Sequence, residues 1–187
     1  MALTPSNMLP LGTRAPDFTL PDTVSGRTLS LAEVKGTQGT VVMFICNHCP
    51  YVKHVNPELV RLAKEYQPRG TGFVAISSND ARSHPDDAPE RMREAARALG
   101  YPFPYLHDES QQVARAYQAA CTPDFYLFDA ALQCVYRGQL DDSRPGQAAS
   151  DGRDLRAALE ALLAGRAPSP AQKPSVGCNI KWKARAG

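Results

Sequence analysis

Two cysteines three residues apart, Cys46 and Cys49, stand in the string Cys46-Asn47-His48-Cys49-Pro50. A pair of neighbouring thiols can cycle between dithiol and disulfide, because a thiolate attacks a disulfide sulfur and a second thiol displaces the product. The chemistry needs one of the two ionised, and the flanking sequence supplies the means. Residues 41–45, Val-Val-Met-Phe-Ile, read as a buried strand. Val52, Val55, Leu59, Leu62, Ala63 and Tyr66 recur at helical steps. The thiols therefore sit where a central strand hands over to a helix N-terminus. Unpaired amides and the macrodipole make that place electropositive and lower a cysteine pKa. Inert packing of two buried cysteines is the plain alternative.

The spacing sets a geometric condition. Three extended residues span about 10 Å, whereas bridged Cα atoms lie within about 7 Å. Cys46 and Cys49 can pair only if Asn47-His48 form a turn, which Asn favours. His48, beside Cys49, would favour the thiolate as an imidazolium; a solvent-facing loop histidine is the alternative. Lys53 could add positive potential from one helical turn on but reads more simply as a solvated side chain, and His54 is a weaker candidate.

The elements that must position these groups follow in order. Residues 1–10 read as a loose arm. Two short β runs flank Ser25-Gly26, with a helical turn at 31–34, before the central strand at 40–45. The helix after Cys49 contains Pro57, which should kink it. A second buried strand ends in polar residues at 77–80. A helix then carries Met92, Ala95, Ala96 and Leu99 on one face and stops at Gly100. A short extended piece, a helix over 111–120 and a strand pair turning near Ala130-Ala131 come next. A polar loop leads to a final helix over 151–165, and residues 166–187 form a proline-punctuated basic tail. Strands alternating with helices predict one α/β sandwich with a mixed sheet.

The chain has 187 residues, 43% hydrophobic and 21% charged, which suits a single domain with a full core. A net charge of +2 gives no ground for nucleic-acid binding. The first residues lack a basic n-region and an apolar h-region, and no membrane span is visible. The expectation is a cytoplasmic protein. Five unevenly spaced cysteines then point to redox or metal chemistry and not to a disulfide framework.

Cys-x-x-Cys among strands and helices reads as a thioredoxin-like redox motif. The strings 11–31 (LGTRAPDFTLPDTVSGRTLSL), 103–117 (FPYLHDESQQVARAY) and 122–129 (TPDFYLFD), with the cysteine stretch, resemble the redoxin branch, which holds the alkyl hydroperoxide reductase and TlpA-type thioredoxins. The likeness runs from about residue 11 to 165. The loop at 137–145 and the tail string PSVGCNIKWK resemble a less characterised peroxiredoxin-like subgroup. The resemblance implies a thioredoxin-like sandwich, a mixed central sheet with helices on both faces and an N-terminal β extension.

It also implies a register. In that family a strand Phe precedes the attacking Cys by five residues, and a helical proline follows it by eight. Phe44 and Pro57 both select Cys49. The family's usual second Cys then falls at Val52, and Cys46 takes its place upstream. The ordinary order, Cys46 attacking and Cys49 resolving, is the alternative. Thr122-Pro123 matches the family's cis-proline turn, which faces the reactive cysteines and offers backbone groups to an extended substrate. Cys121 adjoins that turn, as a third redox partner or a core thiol. Cys134 reads as core. Cys178, near Trp182, either folds back to resolve Cys49 or rides a mobile terminus, the plainer reading. Asp141, Asp142 and Arg144 look like a subgroup signature without evident chemistry.

Three functions compete. The first is a thiol–disulfide oxidoreductase in cell redox homeostasis, with Cys49 attacking and Cys46 releasing product. Its partners would be a disulfide-bearing protein or small molecule and a thiol reductant, such as thioredoxin or a low-molecular-weight thiol. Thioredoxins place a buried carboxylate six residues before the attacking Cys; here Met43 stands there, and His48 is a substitute base. The second is a peroxidase, but the peroxiredoxin Pro-x-x-x-Thr-x-x-Cys pattern finds Val42 and Cys46 in place of Pro and Thr. The third is a soft-metal protein using Cys46, Cys49 and His48 or His54. The copper-delivering SCO family shares a His-Cys-Pro string, but its second Cys falls at Lys53. The leading reading requires no cofactor, metal, membrane or nucleic acid, and the chain is expected to be a monomer or homodimer.

Overall fold

A strand whose every residue is apolar or small belongs in the middle of a sheet, with both faces covered. β4 (Gly39–Phe44) is such a strand, and all six residues are buried in the computed structural model. It pairs in parallel with β5 (Thr71–Ser77) and antiparallel with β8 (Asp124–Asp129). β6 (Tyr105–His107) extends the sheet beyond β5, and β9 (Cys134–Gly138) extends it beyond β8. The order is β6-β5-β4-β8-β9, a mixed sheet. The structure describes residues 3–184; residues 1, 2 and 185–187 of the expected arm and tail lie outside the described residues.

Period-two alternation divides the core in two. Val41 and Met43 face α2 (Pro50–Tyr66), α3 (Pro89–Leu99) and α5 (Arg153–Leu163), meeting Val52, Leu59, Met92, Leu155 and Leu159. Val42 and Phe44 face the other way. There they meet Leu20 of β2 (Thr19–Pro21), Leu29 of β3 (Thr28–Ser30), Leu31 of α1 (Leu31–Val34) and Ala114 of α4 (Gln112–Ala116). Helices therefore cover both faces in a thioredoxin-like arrangement, with the β2–β3 hairpin as the N-terminal extension.

Two local readings need correction. The helix expected over 111–120 shrinks to Gln112–Ala116, because Gln111 and Gln118 both adopt left-handed backbone (φ 63° and 54°) that cannot continue a right-handed helix. The arm and the tail are not loose. β1 (Leu3–Pro5) pairs with β10 (Val176–Asn179), which pairs in turn with β7 (Cys121–Thr122), making a three-stranded antiparallel sheet. The helix after Cys49 continues through Pro57 as one 17-residue element. Among the described residues no helix is long and apolar enough to cross a membrane.

Candidate active site

β4 ends at Phe44, and Ile45 keeps one more backbone bond to Ile76 (3.0 Å) before the chain leaves the sheet. It bends at Asn47 and His48 and enters α2 with Cys49 as N-cap and Pro50 as the first helical residue. Proline suits that position, since its missing N–H would have been unpaired there in any case. The bend is held from outside. Asn47 N–H donates to Asp87 Oδ1 (2.7 Å), Asn47 Nδ2 donates to Asp86 O (2.7 Å), and Tyr105 O–H donates to Asn47 Oδ1 (3.2 Å). The turn required for Cys46 and Cys49 to approach is thus held by side-chain and backbone groups distant in the chain.

Three sulfurs converge on the cis Thr122-Pro123 turn. Cys46 Sγ lies 3.3 Å from Thr122 Oγ1. Cys49 Sγ lies 3.2 Å from Thr122 O and 2.9 Å from Cys178 Sγ. All five cysteines are buried thiols, so exposure does not separate them; ionisation does. Donation from the Cys46 thiol is the largest influence on Cys49 and holds its pKa down, against burial, at about 5. The Cys178 thiol and the backbone N–H groups of Val52 and Cys178 add to this. The Val52 amide does not complete a strict cap hydrogen bond, but as a first-turn donor it still favours an anion. Cys46 moves the opposite way, since its proton is the one shared with Cys49 and burial disfavours its charge. One thiolate among neutral thiols is the state this geometry supports.

The other cysteines differ. Burial pushes the Cys121 pKa up, and its Sγ is directed to Pro123 O (3.8 Å). Cys134 lies in the opposite core, with its pKa raised to about 11 by burial. Both pack as core thiols. Cys178, by contrast, is fixed beside Cys49 by the β7–β10 ladder, in which it pairs with Thr122. The mobile-terminus reading is therefore replaced, because the residues after β10 are tied down as well. Ile180 N–H donates to Ala120 O (3.0 Å), Lys181 N–H to Asn79 Oδ1 (2.8 Å), and Arg115 stacks over Trp182.

His48 does not face open solvent. Its Nδ1 donates to Asp87 Oδ2 at 2.6 Å, and its ring stacks on His84 at 5.0 Å. Hydrogen bonding to Asp87 raises the His48 pKa. Asp87 is fully buried. Burial works to raise its pKa, but the bonds from His48 and from Asn79 Nδ2 (2.7 Å) prevail and hold it below the usual carboxylate range. Asp87 and Asn79 are the residues that sequence reasoning missed. Their only signals were the polar end of the second strand and a proline-flanked acidic string at 85–89. Asp124, directly after the cis proline, is a third: burial pushes its pKa up to about 7, and it accepts from Tyr126 O–H (2.8 Å).

Lys53 is exposed. His54 points to the 139–144 loop, with Nε2 2.8 Å from Ser143 Oγ. That loop is organised by Asp141, which accepts from Ser150 Oγ (2.6 Å) and from the Asp151 and Gly152 amides (2.8 and 2.7 Å). The signature residue is thus a loop clasp. Between His54, Tyr51, Pro123 and the loop lies a cleft of about 20 Å³, room for a water. For a metal, Cys46, His48 and Asp87 place one donor atom each within 4.8 Å of one another. The fit is poor: Cys46 holds its proton, both Asp87 oxygens already accept hydrogen bonds, and His48 Nδ1 is engaged as a donor to Asp87.

This sheet, its two helical layers and a cysteine capping the helix after the central strand make a thioredoxin-like fold. The same fold is seen in the thioredoxin domain of a thiol-disulfide oxidoreductase from Bacteroides vulgatus, with a TM-score of 0.60 at 21% identity over 72% of this chain and 91% of that one. The model of the AhpC/TSA family matches residues 11–137, and the chain belongs to that family. An uncharacterized conserved protein from Geobacillus kaustophilus is similar over 100% of this chain and 99% of its own, with 59% identity and a TM-score of 0.97. The thiol-disulfide oxidoreductase ResA of Geobacillus thermodenitrificans is 28% identical over 119 residues, covering 64% of this chain and 63% of that protein.

Proposed function

We propose that the protein is a thiol–disulfide oxidoreductase in which Cys49 is the attacking thiol. The observation that supports this best is the single low-pKa sulfur at the start of α2, with the Cys46 and Cys178 thiols and the Val52 and Cys178 amides as its donors. The Cys49 thiolate attacks a substrate disulfide, and one substrate thiolate leaves as a mixed disulfide forms on Cys49. A neighbouring thiol then attacks Cys49 Sγ, surrendering its proton as the second substrate thiol departs. The substrate is reduced and the protein oxidised by two electrons. A thioredoxin or a low-molecular-weight thiol in a reducing compartment restores the dithiol. Cys49 is 0% exposed, so the substrate gains entry when the cover over the sulfur parts, which favours small or flexible disulfides. The peroxidase reading has less behind it, because Val42 and Cys46 replace the Pro and Thr of the peroxiredoxin pattern.

Thiol trapping with mass spectrometry tests the assignment. Cys49→Ser should abolish capture of a mixed disulfide with oxidised glutathione, and a protein lacking both neighbouring thiols, Cys46→Ser with Cys178→Ser, should retain an adduct on Cys49. Capture on Cys46 in the Cys49→Ser protein would restore the ordinary order of the motif.

A further inference from the structure

Two thiols flank Cys49, and the structure distinguishes them. Cys46 Sγ is held by Thr122 Oγ1 at 3.3 Å. Cys178 Sγ lies 2.9 Å from Cys49 Sγ, in direct hydrogen-bond contact. Its strand is clamped on both sides of the cysteine. β1 pairs Leu3 with Cys178, β7 pairs Thr122 with Cys178, and the amide of Lys181 is held by Asn79. Gly177 allows this close approach, since a Cβ there would meet Thr122 O at 2.1 Å. The strand therefore occupies the backbone edge of the cis-proline turn, and it brings its own cysteine to the place where an extended substrate pairing with that edge would present one.

We infer that Cys178 is the resolving thiol: the redox couple of this protein is Cys49–Cys178, closed between the helix start and the C-terminal strand. The inference rests on the oxidoreductase reading and deepens it. In the step concerned, Cys178 Sγ attacks Cys49 Sγ of the mixed disulfide. The Cys49–substrate bond breaks, the Cys49–Cys178 bond forms, and the Cys178 proton goes to the departing substrate thiolate. An external dithiol later reduces the new bond. Cys46 keeps its proton throughout and serves as hydrogen-bond donor to the Cys49 thiolate, a positioning role. The strand is thereby both the cover over Cys49 and the means of product release.

The test is non-reducing peptide mapping of the whole chain after reaction with one equivalent of oxidised glutathione, on wild type and on Cys46→Ser, Cys178→Ser and the double variant. We expect a peptide containing Cys49 linked to the peptide containing Cys178 in both wild type and Cys46→Ser. In Cys178→Ser, a Cys49–glutathione adduct should accumulate, and steady-state disulfide reduction should fall at least tenfold. A bond confined to the Cys46–Cys49 peptide, with Cys178 unmodified and turnover of Cys178→Ser at the wild-type rate, would overturn the inference and leave the oxidoreductase reading intact. If the double variant traps no glutathione on Cys49, the oxidoreductase reading itself fails. The wild-type map decides the pairing even if a variant does not fold.

Discussion

At the scale of single residues, the arrangement turns on a carboxylate that sequence inspection passes over. Asp87 lies 38 positions beyond Cys49 in a proline-flanked acidic string that looks like solvated loop. In the fold it accepts from the Asn47 amide, from Asn79 and from His48, and so fixes the bend that brings the cysteines together. The cysteine pair, the bend and the helix start were legible because their spacing constrains them locally. Asp87 was not, since only a tertiary contact gives it a role. Asp87→Asn should lower the His48 pKa, as followed by NMR titration, and cost roughly 1–3 kcal/mol of stability in urea melts. The sign with pH follows from both shifts. Asp87 is depressed, so its contribution is present above the ordinary Asp value of about 3.9 and is lost as pH falls through the depressed value. His48 is raised, so its share is full below about 6.5 and is lost as pH rises through the raised value. The variant's deficit should therefore be largest between about 4 and 6.5. A deficit that does not change with pH would contradict the ion pair.

At the scale of elements, the C-terminal strand departs most from the sequence reading. A four-residue strand in a proline-punctuated basic tail carries no usable alternation, and its partners, β1 and β7, are three and two residues long. None of the three would be assigned alone; the ladder between them gives each its structure. The longer elements behaved differently. β4, β5, α2, α3 and α5 stand out in the sequence as continuous apolar runs or helical steps, signals that come from burial on a large sheet. The tight contact of Gly177 with Thr122 O gives the strand a direct test. Gly177→Ala must separate β10 from β7, at a cost of roughly 1–3 kcal/mol for an overpacked contact. We expect a lower melting temperature, faster proteolysis of the tail and faster alkylation of Cys49 as its cover loosens. Unchanged protection of Cys49 would mean that β10 does not shield it.

On the scale of the whole molecule, two apolar layers on either side of one mixed sheet hold three separate chain segments in register: the turn after β4, the cis-proline turn before β8 and the strand near the C-terminus. Alternation of strands and helices sufficed to foresee this architecture, whereas the meeting of the third segment with the first two depends on contacts 129 residues apart in the chain. The rigid frame lets one sulfur stay ionised inside a buried cluster of thiols. Because the Cys49 pKa is lowered, its ionisation contributes stability that is full above the ordinary thiol value of about 8.5 and disappears as pH falls through about 5. The stability difference between wild type and Cys49→Ser should thus widen across that interval. The most direct measurement is the ultraviolet absorbance of thiolate against pH in the reduced protein, with Cys49→Ser as reference. One thiolate should appear with a midpoint near 5, vanish in Cys49→Ser and shift upward in Cys46→Ala, which removes the donor. A first midpoint in the ordinary thiol range, or a low one that survives loss of Cys49, would contradict the account.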